Sequence, residues 1–162
     1  MTRAVSVGSL DQVTVDASLE YIALNLRPAD LDEVRATVGS LVDPASSLFD
    51  AVKMSTASWL IVDGKAPLGV FGVAPHPVPK VGQAWLLGTP GMVSGENAKS
   101  FHRQTRAYIN ELHKLYPVLL ANADARNDLH IRWLLWAGFQ LTDSIANYGP
   151  ERRLFHQFTR TA

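Results

Sequence analysis

The passage from Ala84 to Asn122 constrains this chain most. An apolar run, "AWLLGT" (84–89), leads through a loop to "SFHRQTRAYINELHKLY" (100–116), and a second apolar run, "VLLAN" (118–122), follows. Phe101, Thr105, Tyr108, Ile109, Leu112, Leu115 and Tyr116 recur at helical spacing on one side of the middle segment. His102, Arg103, Arg106, Asn110 and Lys114 take the other side, and Pro117 stops the helix. Strand, helix, strand demands a right-handed crossover, so the two flanking strands run parallel. The other strand signals are antiparallel. "WLIV" (59–62) and "PLGVFGVA" (67–74) flank Asp63-Gly64-Lys65, a hairpin turn. The tail "IANYGPERRLFHQF" reads as two strands around a Tyr-Gly-Pro-Glu turn. The prolines of "PHPVPKVGQ" (75–83) make that segment a loop.

Upstream, residues 1–19 read as an arm or added edge strand, and "YIALNL" (21–26) as a strand opening a single domain over 20–162. Helices are expected from Pro28 to Gly39, with Asp30, Asp32 and Glu33 at the positive end of the helix dipole, and over 44–55. The fold class is therefore α+β, a mixed α/β three-layer domain whose mostly antiparallel sheet is flanked by helices.

Several chemistries are excluded. The chain has no cysteine, which removes thiol nucleophiles, thiolate metal sites and disulfides. Fifteen basic residues balance fifteen acidic ones, so no overall field favours nucleic acid or an anionic membrane. Arg103, Arg106 and Lys114 on one helix face are a solvated stripe. No apolar run is long enough to span a bilayer and no signal peptide opens the chain, so a cytosolic protein is expected, host cytosol included. His102 and His113 sit about 16 Å apart along their helix, too far to share an ion, and no metal motif exists. "GMVSG" (91–95) lacks the glycine two residues before the serine that a nucleophile elbow needs.

Two stretches carry ligand-binding signals. "GTPGMVSGENAKS" (88–100) places three glycines, two serines, an asparagine and a lysine between a buried strand and the main helix, where exposed N–H groups can hold a phosphate. "RNDLHIRWLLWAGFQ" (126–140) is a short apolar helix with a polar start: Asn127 caps it, Asp128 suits the dipole, and Gly138 ends it. Its Trp133 and Trp136 suit a core, and His130 lies on its first turn.

With these elements in order, the chain resembles the GNAT superfamily of acyl-CoA-dependent N-acetyltransferases over about residues 20–160. "LRPADLDEV" is similar to its first strand and helix, the Asp-Gly hairpin with "PLGVFGVA" to its second and third strands, and "NDLHIRWLLWAGF" to its late asparagine–helix–Gly-Phe signature. Within it, Trp85 on the central strand and the Asn127-x-x-His130-Ile131-Arg132-aromatic-Leu134 helix resemble the acetyltransferase or internal virion protein family of short-tailed phages. The resemblance implies that the strands at 84–89 and 118–122 splay, that Thr89, Gly91 and Met92 meet the pantetheine arm of acetyl-CoA, that Ser94, Gly95, Lys99 and Ser100 hold its phosphates, and that Asn127 lies near its reactive end. Two departures stand out. The phosphate loop keeps one glycine and one positive charge, Lys99, and Leu134 stands where the family has a tyrosine acid. His130 is then the candidate for proton transfer, with His76 behind it. Two functions follow as expectations: an N-acetyltransferase acting on an amine of a protein or small molecule in the host cytoplasm, or an inactive internal virion module whose partner is a phage or host protein. No nucleic acid, membrane or metal partner is expected.

Overall fold

The computed structural model describes all 162 residues. Seven strands form one mixed sheet, β1 (Thr2–Ser6), β2 (Ala57–Asp63), β3 (Ala66–Pro75), β4 (Val81–Gly88), β5 (Val118–Asp124), β6 (Gln140–Tyr148) and β7 (Arg153–Thr161), in the spatial order β1-β2-β3-β4-β5-β7-β6. Every neighbouring pair is antiparallel except β4 and β5. The crossover between those two is the long amphipathic helix, as its spacing requires.

Helices α1 (Gln12–Leu24), α2 (Pro28–Val38) and α3 (Pro44–Met54) cover one face of the sheet, packing Leu19, Ile22, Val34 and Leu48 onto Leu60 and Val70. Helices α4 (Gly95–Leu115) and α5 (Asp128–Trp136) cover the other, where Phe101, Ile109, Leu112 and Leu134 meet Phe71, Leu119 and Phe158. The result is a mixed α/β three-layer domain. No helix is long and apolar enough to cross a membrane.

Three sequence expectations need correction. "YIALNL" is the end of α1, not a strand. The helix starts upstream, where the Asp11 carboxylate accepts the Thr14 N–H at 2.8 Å and its hydroxyl at 2.7 Å. Val15, Leu19, Ile22 and Ala23 then recur on a buried helical stripe, which runs through residues 21–24 and makes them the helix's last turn. Residues 81–83 belong to β4 rather than to the preceding loop, because all three prolines lie before Lys80. The main helix begins at Gly95, five residues before Ser100, so the end of the glycine-serine stretch is already helical, and Pro90–Val93 form a short 3₁₀ turn ahead of it.

The hairpin joining β6 and β7 folds over the end of α2. Gly149, at φ +66°, lies with its Cα against the Ala36 carbonyl, and a Cβ on Gly39 would stand 3.7 Å from the Pro150 ring. Any side chain at 149 would collide with that carbonyl, so Gly149→Ala is expected to destabilise the fold by about 2–4 kcal/mol, measured by denaturant unfolding.

Candidate active site

The parallel strands β4 and β5 pair over three positions only, Val81–Val118, Gly82–Leu119 and Gln83–Leu120. Beyond Gln83 they part. Hydrogen-bond parity shows what this leaves exposed. Thr89 donates its N–H to the Leu68 carbonyl, so along β4 alternate residues (Leu87, Trp85) bond to β3 while Gly88, Leu86 and Ala84 turn their main chain toward β5. Gly88 confirms the alternation, since its N–H and carbonyl bond to Asp30 and Arg27 rather than to β3. The Leu86 N–H and carbonyl therefore face the gap with no strand partner.

What props the gap is a buried polar network that begins on α2. Asp30 and Glu33 stand one turn apart, and each carboxylate takes the end of one strand. Asp30 Oδ2 accepts the Gly88 N–H of β4 at 3.0 Å, and Glu33 Oε1 accepts the Asp124 N–H of β5 at 2.7 Å. Asn127 ties the pair together: Nδ2 donates to Asp30 Oδ1 at 3.0 Å and to Glu33 Oε2 at 3.4 Å, while Oδ1 accepts Arg27 Nη2 at 3.0 Å and the His130 N–H at 3.4 Å. Arg27 Nη2 also reaches Asp30 Oδ1 at 3.3 Å, and its own N–H bonds the Gly88 carbonyl at 2.9 Å. Two acidic residues read from the sequence as helix-dipole partners thus act as a wedge between two strands.

His130 completes the network. Its Nδ1 lies 3.3 Å from both oxygens of Glu33. With the Nδ1–H given to Glu33, the neutral ring carries its lone pair on Nε2, which has no protein partner and is not sealed from solvent. Burial works to lower the His130 pKa, but the charge and hydrogen bond of Glu33, with the charge of Asp30, outweigh it and hold the imidazole above its ordinary value. Burial raises Asp30 above the usual carboxylate range, against the pull of Arg27.

Two cavities meet at this point. A cleft cavity of about 170 Å³ opens on the α4–α5 side, lined by Arg27, Leu86, Met92, Ala98, Phe101 and Trp133 among others. A larger one, about 720 Å³, opens on the α2–α3 side. Leu86 and His130 line both. Trp133 forms a wall of the cleft and does not fill it: its Nε1 donates to Thr105 Oγ1 at 3.1 Å and its ring stacks on Phe101 at 5.8 Å. No cluster of three or more metal-ligating side chains occurs.

The residues singled out in the sequence are distributed unevenly around the cleft. His130 and Met92 line it. Met92 is held by glycines that leave it room, its thioether lying 2.6 Å from where a Cβ on Gly69 would stand and against Gly88 as well. Asn127 is sealed inside the network with its amide fully used. Thr89 donates its hydroxyl to the Leu68 carbonyl at 2.8 Å. The Ser100 hydroxyl is buried among Thr2 and Gln104, tying β1 to α4. Gly91 presents its carbonyl to Ser94 Oγ at 3.4 Å and Asn97 Nδ2 at 3.3 Å. Ser94 and Gly95 are exposed at the start of α4, where no side chain caps the helix, and the first N–H with a helical partner is that of Ala98. Lys99 lies 2.9 Å from Glu96 on the surface. Leu134 is buried in the core. His76 bonds the Val78 N–H in its own loop and lines neither cavity.

No protein-family model and no curated protein matches the sequence. Solved structures match the fold closely. A ribosomal-protein-alanine N-acetyltransferase from Brucella melitensis aligns over 100% of this chain and 99% of its own, with a TM-score of 0.68 at 14% identity. A Salmonella typhimurium protein solved with its cofactor acetyl-CoA aligns over 99% and 92%, with a TM-score of 0.70 at 13% identity. A GNAT-family protein from Chromobacterium violaceum aligns over 99% and 82%, with a TM-score of 0.72 at 15% identity. The chain therefore has the fold of the GNAT acetyltransferases.

Proposed function

We propose that the protein is an N-acetyltransferase that takes acetyl-CoA between β4 and β5 and delivers the acetyl group to an amine entering from the α2–α3 side. One observation carries this reading: the strands part where Leu86 leaves its main chain unbonded, and His130, with Nε2 free, lines the same gap.

The unsatisfied groups of the cleft suit the coenzyme. Arg27 Nε is buried without a partner in a residue that lines the cleft cavity, a donor for an amide or thioester oxygen. The uncapped N–H groups at the start of α4 suit phosphate oxygens. Bound there, acetyl-CoA supplies a thioester from which an amine nitrogen displaces the sulfur, with one net proton released. Leu86 N–H is positioned to donate to the oxygen on which charge develops, in a site its apolar walls keep dry. His130 Nε2 takes the proton that an ammonium must lose before its nitrogen can attack, and Glu33 holds the ring in the tautomer that leaves Nε2 basic. Leu134 offers no acid, and a thiol of ordinary pKa, about 8.5, leaves without one far more readily than an alcohol. Thiol release from acetyl-CoA, followed spectrophotometrically with a panel of amines, tests the reading. Amine-dependent release is expected; none above the His130→Ala background contradicts it.

The second reading, an inactive internal virion or interaction module, is favoured by one feature. Glu96 stands in the first turn of α4 and holds Lys99, so the phosphate end presents a negative charge and a neutralised positive one. Glu96→Gln frees Lys99 and is expected to tighten coenzyme binding about three- to tenfold, about 0.7–1.4 kcal/mol, by isothermal titration. If neither form binds, the module reading takes over, and mass spectrometry of purified phage particles is its check. The phage setting and host cytoplasm rest on the resemblance carried by Trp85 and the Asn127–Leu134 helix.

A further inference from the structure

The larger cavity is built for something the chain does not itself supply. It is bounded by one stripe of α2 (Glu33, Val34, Thr37, Val38), one stripe of α3 (Ser47, Asp50, Ala51, Met54), the outward side chains of β4 and β5, and the β6–β7 hairpin through Tyr148 and Phe155. Most of that wall is apolar. At about 720 Å³ the cavity lies within the range of small-molecule sites, roughly 300–1,000 Å³.

Its polar groups fall into two sets. Some are committed: Glu33 to Asp124, Asn127 and His130, and the Thr37 hydroxyl to the Glu33 carbonyl. Others are not. Asn122 Oδ1 and Ser47 Oγ are buried without a partner, and Asp50 stands at the exposed rim with no ion pair. A sealed, unpaired acceptor is costly to fold around, and a donor delivered by a ligand removes that cost. The only basic side chain in the wall is His130, whose Nδ1 faces Glu33. The uncompensated charge of the cavity is therefore the carboxylate of Asp50. An anion would find only neutral donors, such as Ser47, Gln83 and Tyr148, and a His130 ring whose charge Glu33 balances, and a polar uncharged body would lose its water to valine, methionine and aromatic walls. The β6–β7 hairpin borders the cavity through Tyr148 and Phe155, and the volume suits a compact molecule.

We infer that this cavity is the acceptor site for a small primary amine with an apolar, arylalkyl-type body, its ammonium donating to Asn122 Oδ1 and drawn in by Asp50. The inference rests on the transferase reading for what becomes of the amine, but binding itself needs no coenzyme.

Isothermal titration of the full chain, without acetyl-CoA, tests it with three probes that share a phenylethyl body: 2-phenylethylamine, 2-phenylethanol and 3-phenylpropanoate. Saturable binding of the amine at least about tenfold tighter than the alcohol or the carboxylate is expected. Asn122→Leu removes an acceptor that nothing in the fold uses. It should weaken amine binding about fivefold or more, while its melting temperature stays level or rises and its acetyl-CoA affinity is unchanged. Asp50→Asn should weaken the amine about threefold at low salt and less at high salt. Equal binding of the alcohol or the carboxylate overturns the inference. So does equal or tighter binding of a pentapeptide through its free N-terminus, or an amine affinity indifferent to Asn122→Leu. If the amine binds as described and acetyl-CoA does not, the site stands and the transferase reading falls.

Discussion

Replacing His130 with alanine is expected to lower kcat/KM for amine acetylation about 10²–10⁴-fold, the usual contribution of a positioned base, while leaving acetyl-CoA affinity within about twofold. The asymmetry follows from the proposed role: His130 lines both cavities, and no other base does. The pH profile separates this role from a structural one. His130 acts only when neutral, and Glu33 and Asp30 hold its pKa above the ordinary 6.5. The rate should therefore rise with pH through a value above 6.5, and Glu33→Gln should move that limb toward lower pH. The same shift has a stability signature of defined sign. The folded state binds this proton more tightly than the unfolded chain, so the stabilisation is complete below about pH 6.5 and is lost as pH rises through the folded value. Comparing unfolding midpoints at pH 6 and pH 8, Glu33→Gln should lose stability at pH 6 relative to pH 8 when set against the native chain; His113, which burial holds below its ordinary value, pulls the other way in both chains and cancels in the comparison. A rate limb at or below 6.5, or one indifferent to Glu33, contradicts the assignment.

The second large effect concerns the wedge. Asn127→Leu keeps the branching of the side chain but strips partners from Arg27, Asp30, Glu33 and the His130 N–H at once. Asp30 and Glu33 are almost wholly buried, so their charges cannot turn to water instead. A loss of about 3–5 kcal/mol is expected, which lowers the melting temperature by about 10 °C in a chain of this size. Thermal unfolding by circular dichroism measures it. A change below about 1 kcal/mol means the network is not what holds the strands apart.

These two effects mark where the sequence was legible and where it was not. The crossover helix, the Asp-Gly hairpin and the terminal hairpin each carry a periodicity or turn chemistry complete within a short window; that β7 rather than β6 pairs with β5, and that β1 pairs with β2, was not readable, because those pairings join segments far apart along the chain. Asn127 was readable as a cap, and it does cap α5. That the same amide joins two carboxylates nearly a hundred residues upstream was not readable, because nothing local distinguishes a buried Asp30 or Glu33 from acids that suit a helix dipole. Arg27 was missed for the same reason. Only its placement beside Pro28, just before two acids on one helical turn, hints at a buried ion pair. The phosphate-loop residues illustrate the converse. "GTPGMVSGENAKS" has the composition of an anion site, but the Thr89 and Ser100 hydroxyls are taken by Leu68 and Thr2, leaving main-chain donors as the groups on offer.

The gap between β4 and β5 is the premise of everything functional here, and isothermal titration of acetyl-CoA tests it most directly. Saturable one-to-one binding in the micromolar range is expected. It should be abolished in Ala98→Trp, which places an indole in the cleft cavity without touching the network, and retained in His130→Ala. No heat up to millimolar acetyl-CoA, or binding unaffected by the indole, would contradict the account.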